Sequence, residues 1–128
     1  MFGPAALAES VAFKADLKAA TEVPPVESKG AGTLTATYDT ASKSLNYTVN
    51  YSGLSGDATA AHFHGPAPAG QNAGVVVPVT GSAASPIKGT ATLNDAQVAD
   101  LMAERWYFNI HTAANKGGEI RGQVVKGK

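Results

Sequence analysis

Two histidines one residue apart, His62 and His64 in the stretch AAHFHGPAP, are the residues of this chain best suited to chemistry. The third and last, His111, stands far downstream in YFNIHTAANKGGEIRG. A single histidine in a β-rich protein is usually an ordinary polar residue; the close pair and its distant companion set these apart. On a strand, residues i and i+2 share a face, which points the pair one way with about 7 Å between backbones. Imidazoles so placed converge on one ion, and imidazole suits zinc, copper, iron and nickel. Calcium and magnesium demand oxygen donors, which this constellation does not offer. Three protein ligands leave a coordination position open, as reactive rather than purely structural sites do. Zinc there would favour hydration or hydrolysis, and copper one-electron chemistry. Ligand type alone does not choose between them.

The elements that must position these residues read as strands. VAFKADLK (11–18), GTLTATYD (32–39) and KSLNYTVNY (43–51) alternate apolar and polar side chains, and IKGTATL (87–93) does so again. The second and third join through Thr40, Ala41 and Ser42 as a hairpin. DATAAHFHG is the histidine strand, and GVVVPVT (74–80) is an edge or bulged strand because Pro78 has no N–H to donate. EVPPV is an extended break. One helix is expected over 95–104, with Asn94 as cap and Gln97 completing a capping box ahead of Val98, Leu101 and Met102. RWYFNIHT and EIRGQVV close the chain as a hairpin. Trp106, Phe108 and Ile110 form its apolar face, leaving Tyr107, Asn109 and His111 on the other. If Ile110 and Ile120 both face the core, then Glu119, Arg121 and Gln123 join the His111 face. Arg121 becomes a cation near the site, and Glu119 an outer acceptor. The sum is about eight strands and one short helix, an all-β antiparallel sandwich or barrel.

Composition narrows the function classes. A chain of 128 residues, 44% hydrophobic and 16% charged, is a single globular domain. Ten basic and ten acidic residues balance, and no stretch gathers the basic ones, so nucleic acid is not an expected partner. With no cysteine there are no disulfides, thiolate metal sites or cysteine nucleophiles. No apolar run is long enough for a transmembrane segment. Residues 1–8, MFGPAALA, read as the remnant of an export signal or an expression leftover, since Ala6-Leu7-Ala8 has the small-x-small form of a cleavage site. The folded domain is then 9–128, and the expected location is periplasmic or secreted.

EVPPV, SGLSGDATAAHFHGPA, LNDAQVADLMAERWYFNIHT and AANKGGEIRGQV together resemble the CHRD domain, named for the developmental antagonist chordin and common as a single module in bacterial exported proteins. The likeness runs from about Val11 to Val125, and its specific parts are HxHGPA at 62–67 and NxHTAxxxGGEIRGQ at 109–123. It implies an immunoglobulin-like β-sandwich. His62, His64, His111, Glu119 and Arg121 all fall on matching positions, while Lys116 stands where the family pattern has proline. A second resemblance is to copper-zinc superoxide dismutases, which are Greek-key sandwiches with an HxH pair, a distant histidine and an arginine beside copper. On it, His62, His64 and His111 are the copper ligands and Arg121 the catalytic, anion-guiding residue. A fourth copper histidine and a zinc subsite have no counterpart here, so such an enzyme would be copper-only.

These expectations leave several functions. The first is an exported copper protein that dismutates superoxide or acts on another small anion. The second is a copper carrier or buffer without turnover, for which a homodimer is compatible. The third is a zinc site, since HxH plus a distant histidine is also a hydration-enzyme pattern. The fourth is a metal-free extracellular protein-binding module. Ligand preference places copper ahead of zinc.

Overall fold

The computed structural model describes residues 9–127; the expectation for residues 1–8 lies outside them. The chain forms nine strands: β1 (Ser10–Lys18), β2 (Ala31–Asp39), β3 (Ser44–Ser52), β4 (Ala58–His64), β5 (Val75–Pro78), β6 (Ile87–Thr92), β7 (Tyr107–Thr112), β8 (Ile120–Gln123) and β9 (Val125–Lys126). A 3-10 turn covers Ala19–Thr21, and one α-helix, α1, covers Asp95–Met102. Eight strands hydrogen-bond in the order β5-β4-β7-β8-β1-β2-β3-β6, with β9 paired to β1. Every pairing is antiparallel. The neighbours β4–β7, β8–β1 and β3–β6 are not consecutive in the chain, so the all-β sandwich expected from the alternating segments is built with crossovers. The sheet curls until its two ends face one another: the Tyr47 ring of β3 lies 5.0 Å from Phe63 of β4 and 6.5 Å from Phe108 of β7.

Alternation decides which side chains fill the interior. Phe13, Ala15 and Leu17 of β1, Leu34, Ala36 and Tyr38 of β2, and Leu45, Tyr47 and Val49 of β3 are all buried, and their partners along each strand are largely exposed. Tyr38 and Tyr47 are therefore core residues, as packing tyrosines should be. β5 lies at one end of the sheet, where Pro78 leaves no ladder hydrogen bond missing. The capping box forms as expected: Gln97 N donates to Asn94 Oδ1 at 2.8 Å and Asn94 N to Gln97 Oε1 at 2.9 Å. The helix stops at Met102, two residues short of expectation, because the chain reverses through Glu104 at φ 60°.

The last segment also departs from its expected single strand. β8 pairs with β7 and β9 with β1, and between them the Val124 N–H donates to Trp106 O at 2.9 Å, in register with β7. Gly122 is needed there, since a Cβ would collide with the Asp16 carbonyl of β1. β7 and β8 differ from the other strands in burying both faces: residues Tyr107 to Ile110 are all buried. Trp106, Phe108 and Ile110 face the core with Phe63. Tyr107 and Asn109 point the other way and are buried by loops, with the 69–74 and 21–23 segments supplying the cover. The candidate site residues Tyr107, Asn109 and Arg121 stand in that second layer. Among the described residues no helix is long and apolar enough to cross a membrane.

Candidate metal centre

β4 and β7 lie side by side with His62 opposite Asn109 and Ala60 opposite His111. His62, His64 and His111 therefore emerge on one face from two adjacent strands, and one ring nitrogen of each lies within 4.8 Å of the others. Their ring centroids are 4.9, 5.4 and 6.1 Å apart. The spacing read from the sequence thus brings the three imidazoles together.

The tightest contact is His62 Nδ1 to His111 Nε2 at 3.1 Å. Two nitrogens bound to one ion at about 2.0–2.1 Å in tetrahedral geometry stand about 3.3 Å apart, so these two are already at ligand separation. His111 is oriented by its other nitrogen: Nδ1–H donates to the Lys116 carbonyl at 2.8 Å, which leaves the lone pair on Nε2 facing His62. His64 is held more firmly. Its Nδ1 lies 2.9 Å from the Ala73 carbonyl, its Nε2 2.9 Å from Asn109 Oδ1, and its ring stacks on Tyr107 at 4.7 Å and 2°. Both of its partners are acceptors, yet a neutral imidazole has one N–H. One His64 nitrogen therefore presents its lone pair to an oxygen, and to bind an ion that nitrogen would have to leave its present partner.

Burial lowers the pKa of His62, and the neighbouring His111 and His64 add to that. Burial also lowers that of His64, against hydrogen bonds to Ala73 and Asn109 that pull upward. Both rings are thereby kept neutral, the form that binds metal. A cavity of about 420 Å³ opens beside His62 and His111, with Thr59, Ala60, Ala113 and Lys116 on its walls.

The final hairpin has the expected register, with Ile110 opposite Ile120 and Asn109 opposite Arg121. A family model described as CHRD domain matches residues 13–124, nearly the whole described chain. The chain belongs to the CHRD domain family. Searches of the curated proteins and of the solved structures returned no match. Within this CHRD domain, Arg121 is buried and its guanidinium is fully engaged. Its Nε donates to Glu22 Oε1 at 3.2 Å, its Nη1 to the Gln71 carbonyl at 3.0 Å and its Nη2 to Asn72 Oδ1, and its Cζ sits 3.9 Å over the Tyr107 ring. Arg121 lines a different cavity from the one beside His62 and His111.

Among the described residues, none of the hydrogen bonds of Glu119 is to a histidine. It accepts from Ser55 Oγ, Thr112 Oγ1 and Asn115 Nδ2 at one oxygen, at 2.6, 2.7 and 3.1 Å. At the other it accepts from Ser28 Oγ and Ser55 N at 2.6 and 2.8 Å. Its role as an outer acceptor for the histidines is replaced by that of a clamp on the 112–115 turn.

Three residues near the centre escaped sequence reasoning. Glu22 was one letter of a proline break, yet it is the counter-ion of Arg121. Tyr107 was assigned a face but no task, and it lies between Arg121 on β8 and His64 on β4. Lys116 was a turn residue, and its carbonyl orients His111. Only the shared face of Tyr107, Asn109 and Arg121 carried a signal in the sequence.

Proposed function

We propose that this CHRD domain is an exported copper-binding protein with a mononuclear three-histidine site, and that it dismutates superoxide there. The reading rests on one observation: three imidazoles converge from two strands, with His62 and His111 nitrogens 3.1 Å apart beside an open cavity. A nitrogen-only set of this size supports copper most strongly among the divalent first-row ions. The cavity supplies the approach to an open coordination position. Copper bound there would carry one electron at a time, so that two superoxide ions and two protons give one dioxygen and one hydrogen peroxide. The residues of the chain orient two of the ligands: Lys116 O holds His111, and Ala73 O and the stacked Tyr107 ring hold His64.

Titration of metal-free protein with Cu(II), followed by optical and electron paramagnetic resonance spectra, tests this directly. One equivalent should bind with nitrogen hyperfine structure, and His111→Ala should abolish the endpoint. Unchanged affinity in that variant sinks the assignment. The lowered pKa values of His62 and His64 add a pH signature. Protons should displace copper from them only below the ordinary histidine range near about pH 6.5. A superoxide assay on the loaded protein then separates turnover from storage, since a carrier binds copper equally well but leaves superoxide decay at its uncatalysed rate.

A further inference from the structure

The cavity beside His62 and His111 has a composition that sets what it can admit. None of its lining residues is acidic, and one, Lys116, carries a full positive charge. Lys116 is exposed at the tip of the turn between β7 and β8, and it makes no ion pair among the described residues. Arg121 differs on every count. It is buried, paired with Glu22, and faces another cavity. A charge already matched by a carboxylate at 3.2 Å projects little field, whereas an unpaired ammonium on a cavity wall does.

We propose that the cavity beside His62 and His111 is a binding pocket for small monovalent anions, with Lys116, and not Arg121, as the cation that draws them to the open metal position. This rests on the copper reading above. Lys116 serves the site twice, through separable parts. Its backbone carbonyl accepts from His111 Nδ1 at 2.8 Å, and the residue, exposed on the turn, lines the cavity. A side-chain substitution leaves the carbonyl in place, so metal binding and anion binding can be tested apart.

The probe is azide, titrated into protein loaded with one equivalent of Cu(II) and read from its charge-transfer absorption. Lys116→Glu should weaken azide about tenfold at low ionic strength, and Lys116→Ala about threefold. Both differences should shrink at about 1 M salt, where the screening length is about 3 Å. Lys116→Arg should restore wild-type azide affinity, and all four proteins should bind one equivalent of copper, Lys116→Glu more tightly because its charge attracts the cation. Equal azide affinity in the wild type and Lys116→Glu, with copper bound in both, overturns the inference and leaves the copper reading standing. A wild-type protein that takes up no copper overturns both.

Discussion

Two buried carboxylates on either side of the β7–β8 hairpin are solved by the fold in opposite ways. Glu119 is wholly buried and receives five hydrogen bonds from hydroxyls, an amide and a backbone N–H. Burial pushes its pKa up, but the bonds from Ser28, Ser55 and Thr112 outweigh that and hold it at about 2. Glu22 is as deeply placed, yet one of its oxygens has no hydrogen-bond partner. Burial raises its pKa, and the attraction of Arg121 and the nearby Asn109 amide does not make up the difference. The Gly118 backbone, at φ 124°, closes over Glu22 and Asn109 where any Cβ would collide with both. The Glu119 cluster is a finished structural clamp. The Glu22 cluster is left short of satisfaction where it runs through Asn109 and Arg121 towards His64.

The largest test of that contrast is stability. A carboxylate held from 4.5 down to about 2 contributes about 3.5 kcal/mol at neutral pH, at about 1.4 kcal/mol per unit. Glu119→Gln should lose about that much in urea denaturation, at unchanged m-value. Glu22→Gln should lose less than that, because ionising Glu22 is already opposed by burial and Arg121 keeps Gln71, Asn72 and the Tyr107 face. A larger loss at Glu22 than at Glu119 would reverse the comparison.

The pH dependence gives the two carboxylates opposite signs. Glu119 has a depressed pKa, so its contribution is complete above pH 4.5 and is lost as pH falls towards about 2. Glu119→Gln should therefore fall furthest behind the wild type near neutrality and converge with it in acid. Glu22 has a raised pKa, so its ionisation weakens the fold as pH climbs past 4.5. Glu22→Gln should gain on the wild type over that climb. Parallel curves for the two variants would mean that the carboxylates sit in equivalent environments.

The one-sided strands were legible because each needs only its own period. Phe13, Ala15 and Leu17, or Leu45, Tyr47 and Val49, name the core face without reference to anything distant. The hairpin register was legible from two isoleucines, which place Arg121 opposite Asn109. The convergence of His62, His64 and His111 followed from strand period and a shared face. The polar layer itself was not legible. Alternation says that Tyr107, Asn109 and Arg121 share a face, but only the distant loops that supply Glu22, Gln71, Asn72 and Ala73 decide that this face is buried. Arg121 consequently read as a free cation when its charge is matched, and Glu119 as a neighbour of His111 when its partners are Ser28 and Ser55. Pairings across more than 40 residues of chain, such as Arg121 with Asn72, leave no periodic trace.

The smallest expected effect separates the two clusters by what they serve. Tyr107 joins the Glu22 side to the histidine cluster: Arg121 lies over its ring, His64 stacks on it, and its hydroxyl meets the Ala73 backbone at 3.0 and 3.2 Å. The Ala73 carbonyl is the same atom that His64 Nδ1 approaches at 2.9 Å. Tyr107→Phe keeps both stacks and frees that loop, so copper affinity should drop about tenfold, the low end for losing an outer partner of a ligand. The fold should lose only about 1 kcal/mol, as for one hydrogen-bonding hydroxyl. Glu119→Gln should show the reverse proportion, a larger loss of stability than of copper affinity. Should Tyr107→Phe instead bind copper like the wild type, the Glu22, Arg121 and Tyr107 chain would be a second structural clamp, poorly satisfied but unconnected to the histidines.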